Sequence, residues 1–205
     1  MKIGIINNSL GNVGSVQSAL EFYGHEINLI ETPDEITNSS VLLLAGVGNF
    51  KTAVLKLKKL NLWNKINEEV IERKKPILGI CLGMQLFADF SYEGGKTEGF
   101  GWISGEVKKI ENDQVRVPHI GWNYVNPCNK TLFRGIRYGY FYYMHSYHFI
   151  PNNQDVIMAY TPYRNTNIVA AVKNDNIIGV QFHPEKSQGD GLRIFKNILE
   201  AIDVN

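Results

Sequence analysis

Only two of the 205 residues are cysteine, Cys81 and Cys128, too few for a disulfide framework, so a reducing, cytoplasmic compartment is expected. These two cysteines and five histidines show no spacing that would assemble a zinc site, and neither a metal nor any other cofactor is expected. Long apolar runs are missing as well. The longest uninterrupted stretch of apolar residues and glycine is Val41 to Gly48, far short of a membrane span. The opening MKIGIINN begins directly with a strand-like run and shows neither the apolar core nor the cleavage site of an export signal. Neither secretion nor membrane insertion is expected. Charge of one sign is lacking too: 21 lysines and arginines face 20 aspartates and glutamates, which leaves no field to draw the chain to nucleic acid or to an anionic membrane. There is no linker, repeat or low-complexity tract. Residues 1–205 are therefore expected to form one domain, long enough to bury roughly 70% of its extended surface without a disulfide or a metal.

What is present is organised in two textures. Lys2 to Ile6, Glu26 to Ile30, Ser40 to Ala45 and Pro76 to Ile80 are apolar runs too continuous for strict alternation, which suggests strands of a parallel sheet covered on both faces. Val13, Val16, Leu20 and Tyr23 fall at helical spacing up to Gly24. Ala53, Val54, Leu57 and Leu60 supply one face of a lysine-rich helix. Leu62, Trp63, Ile66 and Val70 make the stripe of another. From Trp102 to Gln181 the runs are shorter and β-like: Glu106 to Ile110, Val115 to Val117, Tyr138 to His148, Asp155 to Tyr160, Ile168 to Lys173 and Ile177 to Gln181. Hairpins suit this half, with a turn at Lys173-Asn174-Asp175-Asn176, and it is expected to extend the same sheet. A last helix starts near Gly189. The expected class is α/β: an open, mostly parallel, flavodoxin-like sheet flanked by helices, with an antiparallel extension in the C-terminal half.

One stretch carries chemistry on its face. Gly79-Ile80-Cys81-Leu82-Gly83 has the form Gly-x-nucleophile-x-Gly between a strand and a helix, the form of a nucleophile elbow. Its glycines are expected to permit the backbone reversal, and the helix N-terminus beneath the sulfur would favour thiolate. A buried, inert cysteine in a glycine-rich turn is the competing interpretation. A thiolate nucleophile needs a base, and the base an orienting group. His183 ends a strand and precedes Pro184, which biases it towards extended geometry, and Glu185 two residues on can lie on the same side. His119, His145 and His148 are rival bases, while His25 follows a helix-ending glycine. Gly46 and Gly48 either make a tight turn or let a backbone N–H face a ligand at the end of a strand.

Taken together, Gly46-Val47-Gly48, Gly79-Ile80-Cys81-Leu82-Gly83-Met84-Gln85 and His183-Pro184-Glu185, each at a strand's end, resemble the class I (triad) glutamine amidotransferases over nearly the whole chain. Within that class the chain most resembles the glutaminase subunits of imidazole glycerol phosphate synthase. The pointers are Gly11-Asn12 with Ser15-Val16, Val117-Pro118-His119-Ile120-Gly121-Trp122-Asn123, the aromatic run from Tyr140 to Tyr147, and Lys186-Ser187-Gln188 after the triad residues.

The resemblance implies that Cys81 attacks the side-chain amide of glutamine, that His183 passes the proton to departing ammonia, and that Glu185 orients His183. A γ-glutamyl thioester would form and be hydrolysed to glutamate. The backbone N–H of Leu82 and, after reorientation of its strand, that of Val47 would meet the oxyanion. Gly48, Gln85 and the backbone of Ser146 and Tyr147 would hold glutamine. Ammonia is a nucleophile only while unprotonated, so it must be handed on under cover, and the chain carries no synthase module of its own. The implied partner is an obligate (β/α)₈ cyclase, in a heterodimer that makes imidazole glycerol phosphate and aminoimidazole carboxamide ribotide in histidine biosynthesis. Asn12 and Trp122 would face it, a core position being the other interpretation of Trp122.

The chain departs from that family in three places: Asn7-Asn8-Ser9 replaces an Asp-Tyr-Gly type turn, Gly14 stands at a commonly basic position, and Ala45 replaces a proline. The first two leave open a paralogous glutaminase subunit that feeds amidination of a bacterial surface sugar. A thiol hydrolase such as a γ-glutamyl peptidase, and a docking subunit with a dead site, are the other rivals.

Overall fold

The computed structural model describes residues 1–7, 13–111 and 116–203. Its first half alternates strands and helices: β1 (Lys2–Ile6), α1 (Val13–Glu21), β2 (Glu26–Ile30), α2 (Pro33–Thr37), β3 (Val41–Gly46), α3 (Phe50–Lys59), α4 (Leu62–Asn67), β4 (Ile77–Cys81) and α5 (Leu82–Gln85). The second half holds β5 (Phe90–Ser91), β6 (Thr97–Glu98), β7 (Gly105–Lys109), β8 (His119–Tyr124), β9 (Asn126–Pro127), β10 (Tyr140–His145), β11 (Tyr147–Pro151), β12 (Ile157–Tyr163), β13 (Thr166–Asn174) and β14 (Ile177–Val180). The helix α6 (Gln188–Asp203) follows them.

The main sheet has the order β2-β1-β3-β4-β14-β13-β12-β9. The five strands from β2 to β14 pair in parallel, and β13, β12 and β9 continue antiparallel. The continuous apolar runs have the cause expected of them. Along β3, Val41, Leu43 and Ala45 join one core while Leu42 and Leu44 join the other, because successive side chains leave opposite faces of a strand. Helices α1 and α6 cover the first face with Val16, Leu20, Ile194 and Ile198. Helices α3 and α4 cover the second with Val54, Leu57, Leu62 and Ile66. Asn49 caps α3 by accepting the Thr52 N–H at 3.0 Å, and α4 runs on into a π-helical turn, Glu68–Glu72.

The second half does not simply lengthen this sheet. Strands β11-β7-β5-β6 form a separate four-stranded sheet and β10-β8 a two-stranded ribbon. The aromatic run expected as one strand breaks at Ser146: β10 pairs with β8, and β11, one residue later, pairs with β7. The expected strand at Val115 to Val117 lies partly outside the described residues, and pairing begins instead at His119. A further difference is α2, where sequence suggested only a polar segment. Glu35 Oε2 accepts the backbone N–H groups of Glu31 and Thr32 at 2.7 and 3.0 Å, half of a capping box that Pro33 at the first turn reinforces. Among the described residues no helix is long and apolar enough to cross a membrane.

Candidate active site

Cys81 is the last residue of β4, and α5 begins at Leu82. The elbow is built differently from the sequence expectation. Gly79 and Gly83 do not make the reversal; Cys81 itself takes the left-handed backbone, with φ 55° and ψ −108°. The glycines provide clearance. A Cβ at Gly79 would press on Phe87 and on the backbone of Gly83 and Met84, and one at Gly83 would overlap the Leu44 carbonyl oxygen. The strand-to-helix crossing can therefore be this tight only with hydrogen at both positions. The helix that follows is short, α5 having four residues.

Those side chains arrive from the neighbouring strands. Gly46 pairs in register with Cys81, so the chain leaves β3 beside the nucleophile, and Gly48 has φ 114°, a region open to glycine. On the other side β14 pairs with β4 from Ile177 to Val180, which carries Gln181 and His183 along the same edge. Pro184 starts a 3₁₀ turn, Pro184–Lys186, in place of the extended segment expected there. The turn still delivers the carboxylate: His183 Nδ1 stands 2.8 Å from Glu185 Oε1, with both side chains almost fully buried. His183 Nε2 is buried with no hydrogen-bond partner of regular geometry, and the charge beside it is the Cys81 sulfur. Burial alone would lower the His183 pKa; the charge and hydrogen bonding of Cys81, then those of Glu185, outweigh it and raise the pKa to about 10. The arrangement holds the His183 ring in its charged form between the Cys81 sulfur and the Glu185 carboxylate.

The rival histidines are of the opposite kind. Burial pushes His119 and His148 down to about 4, and burial with the neighbouring His119 takes His145 down to about 3. None adjoins the sulfur as its hydrogen-bonding neighbour.

A cavity of about 300 Å³ opens over the thiol, and Val47, Gly48, Leu82, Gln85, Ser146 and Tyr147 all line it with Cys81. Gln85 spends both amide hydrogens on Tyr147 O at 2.8 Å and Gln181 Oε1 at 3.1 Å, leaving its own oxygen for a ligand. Two further residues join the site. Gln181, fully buried, donates to Cys81 Sγ at 3.5 Å; its position two before His183 on an extended chain was the available signal. Glu93 lines the cavity and accepts the Phe50 N–H at 2.7 Å; nothing local in Tyr92-Glu93-Gly94-Gly95 announces that role. Trp122 is exposed on the outer face of the ribbon, edge-on to Tyr142, so it is not a core residue. Ala45 is buried at the end of β3. Asn12 lies outside the described residues, as do Asn8 and Ser9.

A strained cysteine between strand and helix, a buried His–Glu pair beside it and a cavity above it define a thiol amidotransferase. A family model described as Glutamine amidotransferase class-I matches residues 4–202, and the chain belongs to that family. Solved structures agree in fold: one titled "Crystal structure of glutamine amidotransferase" superposes with a TM-score of 0.77 at 16% identity, covering 98% of both chains. The "Structure of PurLQS from Thermotoga maritima" gives 0.72 at 18% identity, again over 98% of both. Closer in sequence are proteins named "Imidazole glycerol phosphate synthase subunit HisH". The one from Pelagibacter ubique is 44% identical, covering 97% of this chain and 99% of its own. That from Pyrococcus furiosus is 43% identical, covering 96% and 97%. Within the family the chain groups with these HisH subunits.

Proposed function

We propose that the chain, as one glutamine amidotransferase domain, is the glutaminase subunit of an imidazole glycerol phosphate synthase acting in histidine biosynthesis. The observation that carries this reading is the buried His183–Glu185 pair beside Cys81, with Cys81 itself lining the cavity. The Cys81 thiolate adds to the amide carbon of glutamine, and the C–N bond breaks as the His183 imidazolium gives its proton to the departing ammonia. The now neutral imidazole then takes a proton from water, which displaces the thiolate and releases glutamate. Glu185 holds the ring through Nδ1 and stabilises its charged form. In this reading the Leu82 N–H binds the oxyanion, joined by that of Val47 once the chain there reorients, a contribution of about 10²–10³ per donor. Gly48, Ser146 and Tyr147 contribute backbone to the glutamine site, and the Gln85 oxygen and Glu93 carboxylate suit the α-ammonium group.

The ammonia has an exit covered by a partner. On the outer face of the ribbon Ile120, Trp122 and Tyr124 stand exposed opposite Met144, Tyr142 and Tyr140, and Met144 also lines the cavity. Such a contiguous apolar strip at the mouth of a site is an interaction surface, and the occupant fitting this chemistry is a (β/α)₈ cyclase that consumes ammonia. Asn12 belongs with that contact by its motif. The surface-sugar alternative is not favoured, since the relatives above carry the synthase name. The test is Cys81→Ala in complex with the cyclase. Synthesis from glutamine should vanish while synthesis from added ammonium persists; a variant that ammonium cannot rescue would refute the division of labour. In the isolated chain a glutamine-analogue alkylator should label Cys81, whereas a refractory thiol would indicate a docking subunit.

A further inference from the structure

The inner face of the β8–β10 ribbon carries buried polar groups that the chemistry above does not use. His119 and His145 oppose each other in register, with His119 Nδ1 3.1 Å from His145 Nε2. Their partners dictate which nitrogen holds each proton. A carbonyl oxygen only accepts, so His145 Nδ1, 2.8 Å from Tyr147 O, carries the hydrogen. Burial keeps both rings neutral, His145 at about 3 and His119 at about 4, and a neutral imidazole has one N–H. His145 Nε2 must then accept, and His119 Nδ1 must donate to it. His119 Nε2 in turn accepts from Asn123 Nδ2 at 3.3 Å, while the rings of Tyr143 and Tyr163 stack against the His119 imidazole.

Every donor in this series points one way, and the series ends on the cavity wall. Tyr147 O accepts from His145 Nδ1 and from Gln85 Nε2, at 2.8 Å each, and His145 lines the cavity beside it. Gln85 also donates to Gln181, which donates to the Cys81 sulfur. The Tyr147 carbonyl is thus the junction between two buried histidines and the groups that surround glutamine. It lies directly after Ser146, where the chain leaves the ribbon and Tyr147 takes up register with Lys109 on β7.

We propose that His119 and His145 are positioning residues for glutamine hydrolysis, holding the Tyr147 carbonyl so that Gln85 and the Ser146–Tyr147 backbone keep the geometry that binds glutamine. This rests on the glutaminase reading above, and the experiment separates the two. The isolated chain is inactivated with a glutamine-analogue alkylator to give its inhibition constant, and in parallel with iodoacetamide, which reports the thiol alone. His145→Leu removes the hydrogen bond; His145→Asn places an amide N–H where Nδ1 stood. The expected result is an inhibition constant raised about tenfold in His145→Leu and restored to within about threefold in His145→Asn. Iodoacetamide rates should stay within about twofold in both. Should His145→Leu not fold, His119→Leu, one bond further back, should raise the constant about threefold. An unchanged constant, a parallel fall in iodoacetamide reactivity, or failure of His145→Asn to restore binding would overturn the positioning role. A native chain that the analogue never labels would instead remove the glutaminase reading on which it stands.

Discussion

Replacing Glu185 with glutamine exposes the balance of charges that holds the nucleophile. The His183 pKa stands at about 10 against 6.5 for an isolated imidazole, a difference equivalent to about 5 kcal/mol. Glu185 Oε1, at 2.8 Å and buried with the ring, supplies a hydrogen bond between charged groups, worth about 1.5–3 kcal/mol. Glu185→Gln should therefore lower the His183 pKa by about one to two pH units, and glutaminase activity roughly 10–150-fold. The assay is an NMR titration of the chain with isotope-labelled histidine, read at imidazole Cε1. In the native chain one ring should stay protonated until the pH passes through about 10, while three stay neutral down to about 4 or below. The sign for stability follows. A raised pKa stabilises the fold fully below pH 6.5, and the contribution is lost as pH rises through about 10, so alkaline unfolding should come earlier in Glu185→Gln. A His183 that titrates near 6.5, or one indifferent to residue 185, would refute the ion pair.

Four further variants check other parts of the structure. Gly83→Ala forces a Cβ onto the Leu44 carbonyl and should lower stability by about 3 kcal/mol or more in urea unfolding. Gly48→Ala meets open space but keeps φ 114°; it should lose roughly 1–3 kcal/mol and fold, yet hydrolyse glutamine poorly, and the opposite ordering would contradict the roles assigned here. His145 is held neutral at about 3, so its contribution is present above pH 6.5 and lost as pH falls. Between pH 6.5 and 5 His145→Asn should lose about 2 kcal/mol less stability than the native chain, and equal losses in the two would count against it. Glu93→Gln keeps an acceptor for Phe50 but drops the charge, so the KM for glutamine should rise about tenfold with kcat within about threefold; a fall in kcat alone would show that Glu93 does not hold the ammonium.

The parallel core and the elbow were legible because their signals are local. A β3 that feeds two cores has to be apolar at every position, and a cysteine flanked by glycines two residues away on each side has few structural reasons to be there. The capping pattern Thr32-Pro33-Asp34-Glu35 that starts α2 is equally local, though the helix it starts is only five residues long. Other features had no local mark. Nothing in the aromatic run from Tyr140 to Tyr147 says that the chain changes sheets at Ser146, since the choice of neighbouring strand belongs to the tertiary fold. Gln181 and Glu93 owe their places to β14 lying against β4 and to the loop after β5 folding over α3. The proton order of His119 and His145 depends on burial, which spacing does not reveal.

The backbone angles of Cys81 carry an evolutionary consequence. At φ 55° and ψ −108° every side chain is disfavoured, by roughly 1–3 kcal/mol, and glycine alone escapes. A mutation to glycine at 81 would relax the molecule while silencing it. At this one position drift towards a sturdier protein and drift towards an inert one run in the same direction, and only demand for the reaction opposes them.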